Sequence, residues 1–296
     1  MTNFAITGCA GYIAPRHLKA IQDVGGRLVA ALDPCDSVGI LDQFGYDVQY
    51  FTDFERFERH LLHLRGTPDQ VDYVSVCSPN YLHEAHARAA LRAGASAIVE
   101  KPMVINPDNL DLLEEQETTR QRVWAIMQMR YHPEIIRLRA RVESEPDKIH
   151  RVDMTYVTAR GPWYARSWKG DQEKSGGLLM NIGIHLFDLL IWIFGAPLNY
   201  WHNTGIEIAT GEIKLERAQV SWLLSINPGY STHNPAQQRN ITVDGELYDF
   251  TQYGGELHTL AYREILAGRG FGIADARPAL EFVHKLSQTH LDMTGG

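Results

Sequence analysis

The chain has 296 residues, 44% of them hydrophobic and 22% charged, with a formal net charge of −8. That balance describes a globular protein and excludes a disordered one, and the length sets an expectation of two domains. No long basic run offsets the acidity, which argues against a nucleic-acid backbone as partner. The three cysteines, Cys9, Cys35 and Cys77, are odd in number and lack zinc-site spacing. They read as three buried free thiols in a reducing cytoplasm. No basic leader precedes an apolar stretch at the N-terminus, so no signal peptide is expected. The longest apolar run, 186–194, contains Asp188 and is too short to span a bilayer, so no membrane partner is expected.

In chain order, residues 4–7 form a short apolar strand running into glycines, and 13–24 read as a helix. Strands are expected at 27–32, 48–51, 71–77, 97–99 and 123–127, with helices at 54–64, 82–93 and 109–120 between them. Apolar strands alternating with helices predict a parallel sheet covered on both faces. After residue 127 the rhythm changes. A helix at 132–143 leads to an alternating strand at 149–158, an aromatic and basic loop at 160–177, and an apolar helix at 178–194. Strand-like runs follow at 199–209, 218–226 and 240–250, the last with a hairpin at Asp244-Gly245, and two helical stretches close the chain. The expected fold is α/β: an N-terminal Rossmann dinucleotide-binding domain over 1–127, then an α+β domain over 128–296 with a largely antiparallel sheet.

Gly8-Cys9-Ala10-Gly11-Tyr12-Ile13-Ala14 follows the first strand and opens the first helix. Glycines there let the backbone approach a pyrophosphate, and the helix N-terminus favours its charge, placing it at Gly11, Tyr12 and Ile13. The spacing is G-x-x-G-x-x-A rather than G-x-G-x-x-G; the competing reading is a glycine-rich turn that binds nothing. Asp33 ends the second strand, where an acid accepts from ribose hydroxyls and selects NAD over NADP; the plain alternative is a turn aspartate before Pro34. Ser78, Asn80 and His83 follow a strand at the sheet edge where ligands bind. His83 and His86 stand three apart, but no acid or thiol cluster completes a metal site, so no metal is expected. Glu100-Lys101-Pro102 ends the next strand. A desolvated lysine there can act as a base or hold an alcohol, against the alternative of an ordinary ion pair. Gln128 follows the last Rossmann strand. Asn181, His185 and Asp188 fall at i, i+4 and i+7 on the apolar helix and so share one face. His185 suits proton transfer, although such a histidine is commonly structural. In the loop, Arg160, Arg166 and Lys169 can meet a carboxylate or diphosphate, and Tyr164 and Trp168 can pack on sugar or base faces; a solvated loop is the alternative.

Taken together, Gly8 to Ala14, Asp33, Ser78 to His83, Glu100-Lys101-Pro102 and the stretch from Gly176 to Asp188 resemble the Gfo/Idh/MocA oxidoreductase family over nearly the whole chain. Asn181 stands where many members carry aspartate. Within the family, the stretches from Gly8 to His17 and from Asp72 to His83, with Ser167-Trp168-Lys169-Gly170-Asp171 and Ile265-Leu266-Ala267-Gly268-Arg269-Gly270, look like the bacterial UDP-N-acetylglucosaminuronic acid dehydrogenases. The resemblance implies NAD as cofactor and Lys101 and His185 as the catalytic pair. It also implies oxidation of the 3-hydroxyl of a UDP-linked uronic acid on the way to diacetamido uronic acids for lipopolysaccharide O-antigen. A homotetramer joined through the second domain's sheet and a cytoplasmic location go with it. It leaves open whether Lys101 or His185 is the base, and whether α-ketoglutarate recycles the bound cofactor. Implied cofactor contacts are Gly8, Gly11, Tyr12, Ile13, Asp33, Ser78, Asn80, His83, Glu100, Lys101 and Gln128. Implied substrate contacts are Arg160, Tyr164, Trp168, Lys169, Asn181, His185 and Asp188. Another sugar or inositol dehydrogenase of the family and a non-catalytic NAD-sensing regulator are the competing readings.

Overall fold

A computed structural model describes residues 1–230, 237–251 and 256–292, with side chains through residue 288. The first unit begins with β1 (Asn3–Thr7), α1 (Ala14–Asp23), β2 (Arg27–Leu32), β3 (Gln49–Phe51), α2 (Phe54–Leu64), β4 (Tyr73–Val76), α3 (His83–Arg92), β5 (Ser96–Val99), α4 (Asp108–Glu114) and β6 (Val123–Ala125). Strands β1 to β6 pair in parallel. β1 and β5 are buried along their whole length, as apolar strands with helices on both faces must be. Helix α1 buries Ala14, His17, Leu18 and Ile21, spaced at three and four. Each aliphatic side chain of that size contributes about 1.5–3 kcal/mol on full burial.

The second unit holds α5 (Pro133–Ser144), β7 (His150–Thr158), the short turns α6 (Trp163–Arg166) and α7 (Gln172–Ser175), α8 (Ile184–Phe194), β8 (Pro197–Thr204), β9 (Ile208–Leu215), β10 (Ala218–Ser225), β11 (Gln237–Val243) and β12 (Glu246–Asp249). Its six-stranded sheet has the order β12-β11-β7-β10-β9-β8. Only the β7–β10 pair is parallel, so the sheet is mostly antiparallel. The stretch Gln172–Phe194 is long and apolar enough to cross a membrane by length and composition. Here α8 is core: Phe187 packs edge-on to Trp222 of β10, with ring centroids 5.1 Å apart.

The chain then returns. α9 (Leu257–Leu266) and β13 (Phe271–Gly272) belong to the first unit, and α10 (Ile273–Asp292) passes from one unit to the other. The units are therefore Met1–Gln128 with Glu256–Ala276, and Met129–Gly255 with Arg277–Gly296. β13 adds an antiparallel edge strand on β6, giving the order β13-β6-β5-β4-β1-β2-β3.

Four features differ from expectation. The single division after residue 127 misses the returning segment, which lacks any local signal because its partners lie far away in sequence. β9 is an additional strand, extending beyond the run expected to end at residue 209: its Gly211 sits where a Cβ would lie 2.8 Å from the Trp222 ring. The helix expected to reach residue 120 stops at Glu114. There the Thr118 hydroxyl accepts from the amides of Arg120 and Gln121, offering the backbone a competing arrangement. Cys9 and Cys77 are buried, but Cys35 is exposed in the turn after β2.

Candidate active site

The strand order reverses between β1 and β4, and the crevice beyond the carboxyl ends of such strands is where open α/β sheets take ligands. Gly8, just past β1, has φ +75°, and a Cβ there would lie 2.5 Å from the Cys77 carbonyl oxygen. Only glycine fits. The Ala10 amide donates to Asp33 Oδ2 at 2.9 Å and the Cys35 amide to Oδ1 at 2.9 Å. Asp33 thus ties the glycine turn to the end of β2, so the turn-aspartate reading is realised, while each oxygen keeps acceptor capacity. Helix α1 begins with Pro15 in its first turn and carries no acidic side chain there. Its positive end is left uncompensated beside Gly11, Tyr12 and Ile13.

Two buried polar atoms stand at this edge without a hydrogen-bond partner among the described residues: Ser78 Oγ after β4 and Gln128 Oε1 after β6. Buried polar atoms without partners mark a place where a bound molecule completes the hydrogen bonding. Asn80 is also buried. His83 lies between two backbone carbonyls, with Nδ1 2.7 Å from Pro102 O and Nε2 2.7 Å from Ser78 O. With one N–H in its neutral form it donates to one of these carbonyls and only abuts the other. Burial lowers its pKa although both carbonyls oppose that. His86 turns elsewhere, with Nδ1 3.1 Å from Thr7 Oγ1 and its ring stacked on Phe54, so the two histidines do not converge on one point.

Glu100 is buried. Its Oε1 accepts from His17 Nε2 at 2.9 Å and from His258 Nε2 at 3.2 Å, and its Oε2 accepts from the Lys101 amide at 3.1 Å. Burial alone would raise the carboxyl pKa, but the two histidines overturn that and hold it well below the usual range. Glu100 is therefore ionised at neutral pH. Lys101 is half-buried and follows directly.

In the second unit the expected helix opens as a five-residue π-turn, Leu179–Gly183, before α8. Such a turn accommodates one extra residue and recurs at functional sites. The three polar residues expected on one face engage three different neighbours. Asn181 Nδ2 donates to the Tyr164 hydroxyl at 2.6 Å. His185 lies against the Tyr156 ring, with centroids 6.3 Å apart and nearly parallel. Asp188 receives Arg130 Nη2 at 2.6 Å and Nε at 3.1 Å, both side chains being buried. That two-point pair engages both carboxylate oxygens. Of the loop residues, Tyr164 is brought to Asn181, while Lys169 Nζ lies 3.8 Å over the Trp168 ring. Arg160 Nη1 donates to Thr158 Oγ1 and to the Ala159 carbonyl, both at 3.1 Å. Arg166 is exposed.

The glycine turn, the acid after β2 and the uncompensated helix end define a dinucleotide-dependent Rossmann protein with a separate α/β unit. Residues 2–127 match the oxidoreductase family NAD-binding Rossmann fold named GFO_IDH_MocA, and residues 147–251 match that family's C-terminal alpha/beta domain. A solved structure of the WlbA (WbpB) dehydrogenase from Thermus thermophilus, in complex with NAD and UDP-GlcNAcA, is 46% identical at TM-score 0.92, covering 97% of this chain and 95% of that one. A second structure of that dehydrogenase, in complex with NAD and alpha-ketoglutarate, gives the same values. A putative UDP-kanosamine synthase oxidoreductase subunit from Amycolatopsis mediterranei is 34% identical over 148 residues, 50% of this chain and 41% of that protein. The chain spans about two fifths of the length of the first curated relatives it matches. The chain belongs to the Gfo/Idh/MocA oxidoreductase family, and its first unit is that family's NAD-binding domain.

The residues present fit NAD. The Gly8 cradle admits no side chain, the α1 terminus suits a pyrophosphate, and Ser78 Oγ and Gln128 Oε1 offer unpaired contacts at the same edge. The Asp33 carboxylate favours ribose hydroxyls and disfavours a phosphate in their place. Signals for His17, His258 and Tyr262, which surround Glu100, were missed. His17 is visible as a histidine on the apolar stripe of α1, whereas the other two arrive from more than 150 residues away.

Proposed function

We propose that the protein oxidises the 3-hydroxyl of a UDP-linked N-acetylglucosaminuronic acid to the 3-keto sugar. The observation that carries this reading is 46% identity across 97% of the chain with a dehydrogenase whose structure holds NAD and UDP-GlcNAcA. Bound nicotinamide supplies a hydride acceptor. The chain's own residues supply the rest. Gly8, Gly11, Tyr12 and Ile13 receive the pyrophosphate, Asp33 the adenosine ribose, and Ser78, Asn80, His83, Glu100 and Gln128 line the cofactor edge. Lys101 and His185 are the catalytic pair: His185 takes the hydroxyl proton and Lys101 orients the hydroxyl. Arg160 and Lys169 meet the uronate or diphosphate charges, Tyr164 and Trp168 pack on the sugar or uracil, and Asn181 contacts the sugar. Asp188, already paired with Arg130, acts on the substrate by holding that part of α8 in place.

The product is the substrate of an aminotransferase in the synthesis of diacetamido uronic acids for lipopolysaccharide O-antigen. The enzyme works in the cytoplasm as a homotetramer. Trp201 and Leu247, exposed on outer strands of the second unit's sheet, support an association surface there. α-Ketoglutarate is the recycling oxidant, a reading supported by the second Thermus thermophilus structure.

The test is a substrate panel followed by the absorbance of reduced nicotinamide in single turnover. Signal with UDP-GlcNAcA, and little with UDP-GlcNAc or free sugars, is expected. Equal signal with free sugars or inositols moves the reading to another dehydrogenase of the family. Silence with every sugar, despite measurable NAD binding, moves it to an NAD-sensing regulator.

A further inference from the structure

The return of the chain to the first unit brings two polar side chains of α9 into a buried cluster. His258 reaches Glu100, and Tyr262 reaches His17, with its hydroxyl 2.8 Å from Nδ1. The same hydroxyl lies 2.6 Å from Ser75 Oγ on β4. His17, Ser75, Glu100, His258 and Tyr262 are all buried. With Glu100 ionised, one assignment of protons satisfies every pair. His17 Nε2–H and His258 Nε2–H donate to Oε1. His17 Nδ1 then accepts from the Tyr262 hydroxyl, and the Tyr262 oxygen accepts from Ser75. The arrangement turns both imidazole donors onto the carboxylate of Glu100, the residue beside Lys101. Burial holds His17 neutral and Tyr262 protonated, consistent with that assignment.

We infer that His17, His258 and Tyr262 are positioning residues, which hold Glu100 as an ordered carboxylate and through it fix Lys101. The inference rests on the reading of Lys101 as a catalytic residue. Glu100 acts in two ways. Its Oε2 accepts from the Lys101 amide, which sets the backbone from which the ammonium projects. Its charge, in a water-poor setting, also favours the ammonium over the free amine. The titratable groups facing Glu100 are His17 on α1, Cys77 after β4, His83 on α3, Lys101 itself, and His258 and Tyr262 on α9. Of these, Cys77 and Tyr262 stay protonated because burial and the Glu100 charge raise them. Helix α9 thus has a task in the active site although none of its residues is assigned to cofactor or substrate.

The experiment compares Lys101→Met, Glu100→Gln, His258→Leu, His258→Gln and Tyr262→Phe. It reads kcat, KM, the kcat–pH profile and NAD affinity by fluorescence, with thermal melting as the check on folding. Glu100→Gln is expected to lower kcat by on the order of 10- to 100-fold, because a misplaced reacting group has that effect. NAD affinity should stay within about threefold of wild type in Tyr262→Phe and His258→Gln, since neither residue is assigned to the cofactor. The alkaline limb of kcat in Glu100→Gln should move to lower pH, as the ammonium loses a neighbouring charge. His258→Gln keeps a donor and should retain more activity than His258→Leu. If Glu100→Gln does not fold, Tyr262→Phe and His258→Leu carry the same test, because each removes one link and leaves the charge, with His258→Gln as the conservative comparison. Wild-type kcat and pH profile in the Glu100, His258 and Tyr262 variants, alongside an inactive Lys101→Met, overturns the inference and leaves the Lys101 reading intact. Full turnover by Lys101→Met removes that reading and this inference together. A stoichiometric divalent metal in the purified protein, lost on replacing His17 or His258, also overturns it, since the cluster would then be a metal site.

Discussion

Among the described residues, histidine and carboxylate meet in two clusters, with opposite outcomes. In the first unit His17, Glu100 and His258 are buried, and a neutral histidine and two further donors surround one anion. In the second, Glu145, His150 and Asp244 form the edge of a wider ionic patch. Lys148 Nζ bridges Glu145 Oε2 at 2.8 Å and Asp244 Oδ2 at 2.9 Å, and Arg141 reaches Asp244 and Glu246. Burial by itself raises the Asp244 carboxyl, but the Arg151 amide, Lys148 and His150 overcome that and hold it well below the usual range. Both clusters keep a carboxylate ionised. One does so with hydrogen bonds in a dry core, the other with partly exposed cations in contact with water. The first is a rigid anion suited to placing a neighbour, and the second is a partly screened surface network.

The sharpest way to break this comparison is to remove the central acid of each cluster. Glu100→Ala leaves three buried donors without an acceptor and is expected to cost about 3–5 kcal/mol in chemical denaturation. A loss under 1 kcal/mol would mean water enters the cluster. Arg130→Ala asks whether burial or location decides, because the Arg130–Asp188 pair is buried yet lies in the second unit. It too should cost about 3–5 kcal/mol, and a double replacement of Arg130 and Asp188 by apolar residues should recover most of that.

Acid separates the units next. His17, His83 and His86 have folded pKa values below their unfolded values, His86 lowered to about 3, with burial as the leading cause. The unfolded chain therefore binds protons first. Their contribution is complete above about pH 6.5 and falls as pH drops, by about 1.4 kcal/mol per pH unit for each histidine that stays neutral. Asp244, Glu145 and Glu246 also have lowered pKa values, but their contribution is complete above about pH 4 and is lost only below it. Hydrogen exchange followed from pH 7 to pH 4 should show protection falling in α1 and α3 before β11 and β12. The reverse order would contradict the assignment of neutral buried histidines. The smallest effect belongs to the surface network. Asp244→Ala should cost about 1 kcal/mol, and that cost should shrink in 1 M salt, where the screening length is about 3 Å. The Glu100→Ala cost should not.

Much of this was legible in the sequence because it depends on neighbours along the chain. Gly8, Asp33, Ser78 and Glu100-Lys101 each end a strand of an apolar run, and a parallel sheet puts such ends at one edge. What escaped depends on distant partners. Nothing near His258 or Tyr262 announces that α9 returns to meet Glu100. The face shared by Asn181, His185 and Asp188 was read from an ideal helix, which a π-turn breaks. The part of β9 beyond residue 209 escaped as well, because a glycine demanded by the Trp222 ring, Gly211, looks the same in sequence as one that turns the chain.

The central claim is that hydrogen leaves carbon three of a UDP-linked uronic acid for the cofactor. UDP-GlcNAcA carrying deuterium at that carbon should, in a single turnover with NAD, deliver the label to the nicotinamide ring, as read by NMR or mass spectrometry. Label retained on the sugar or released to water would contradict the account.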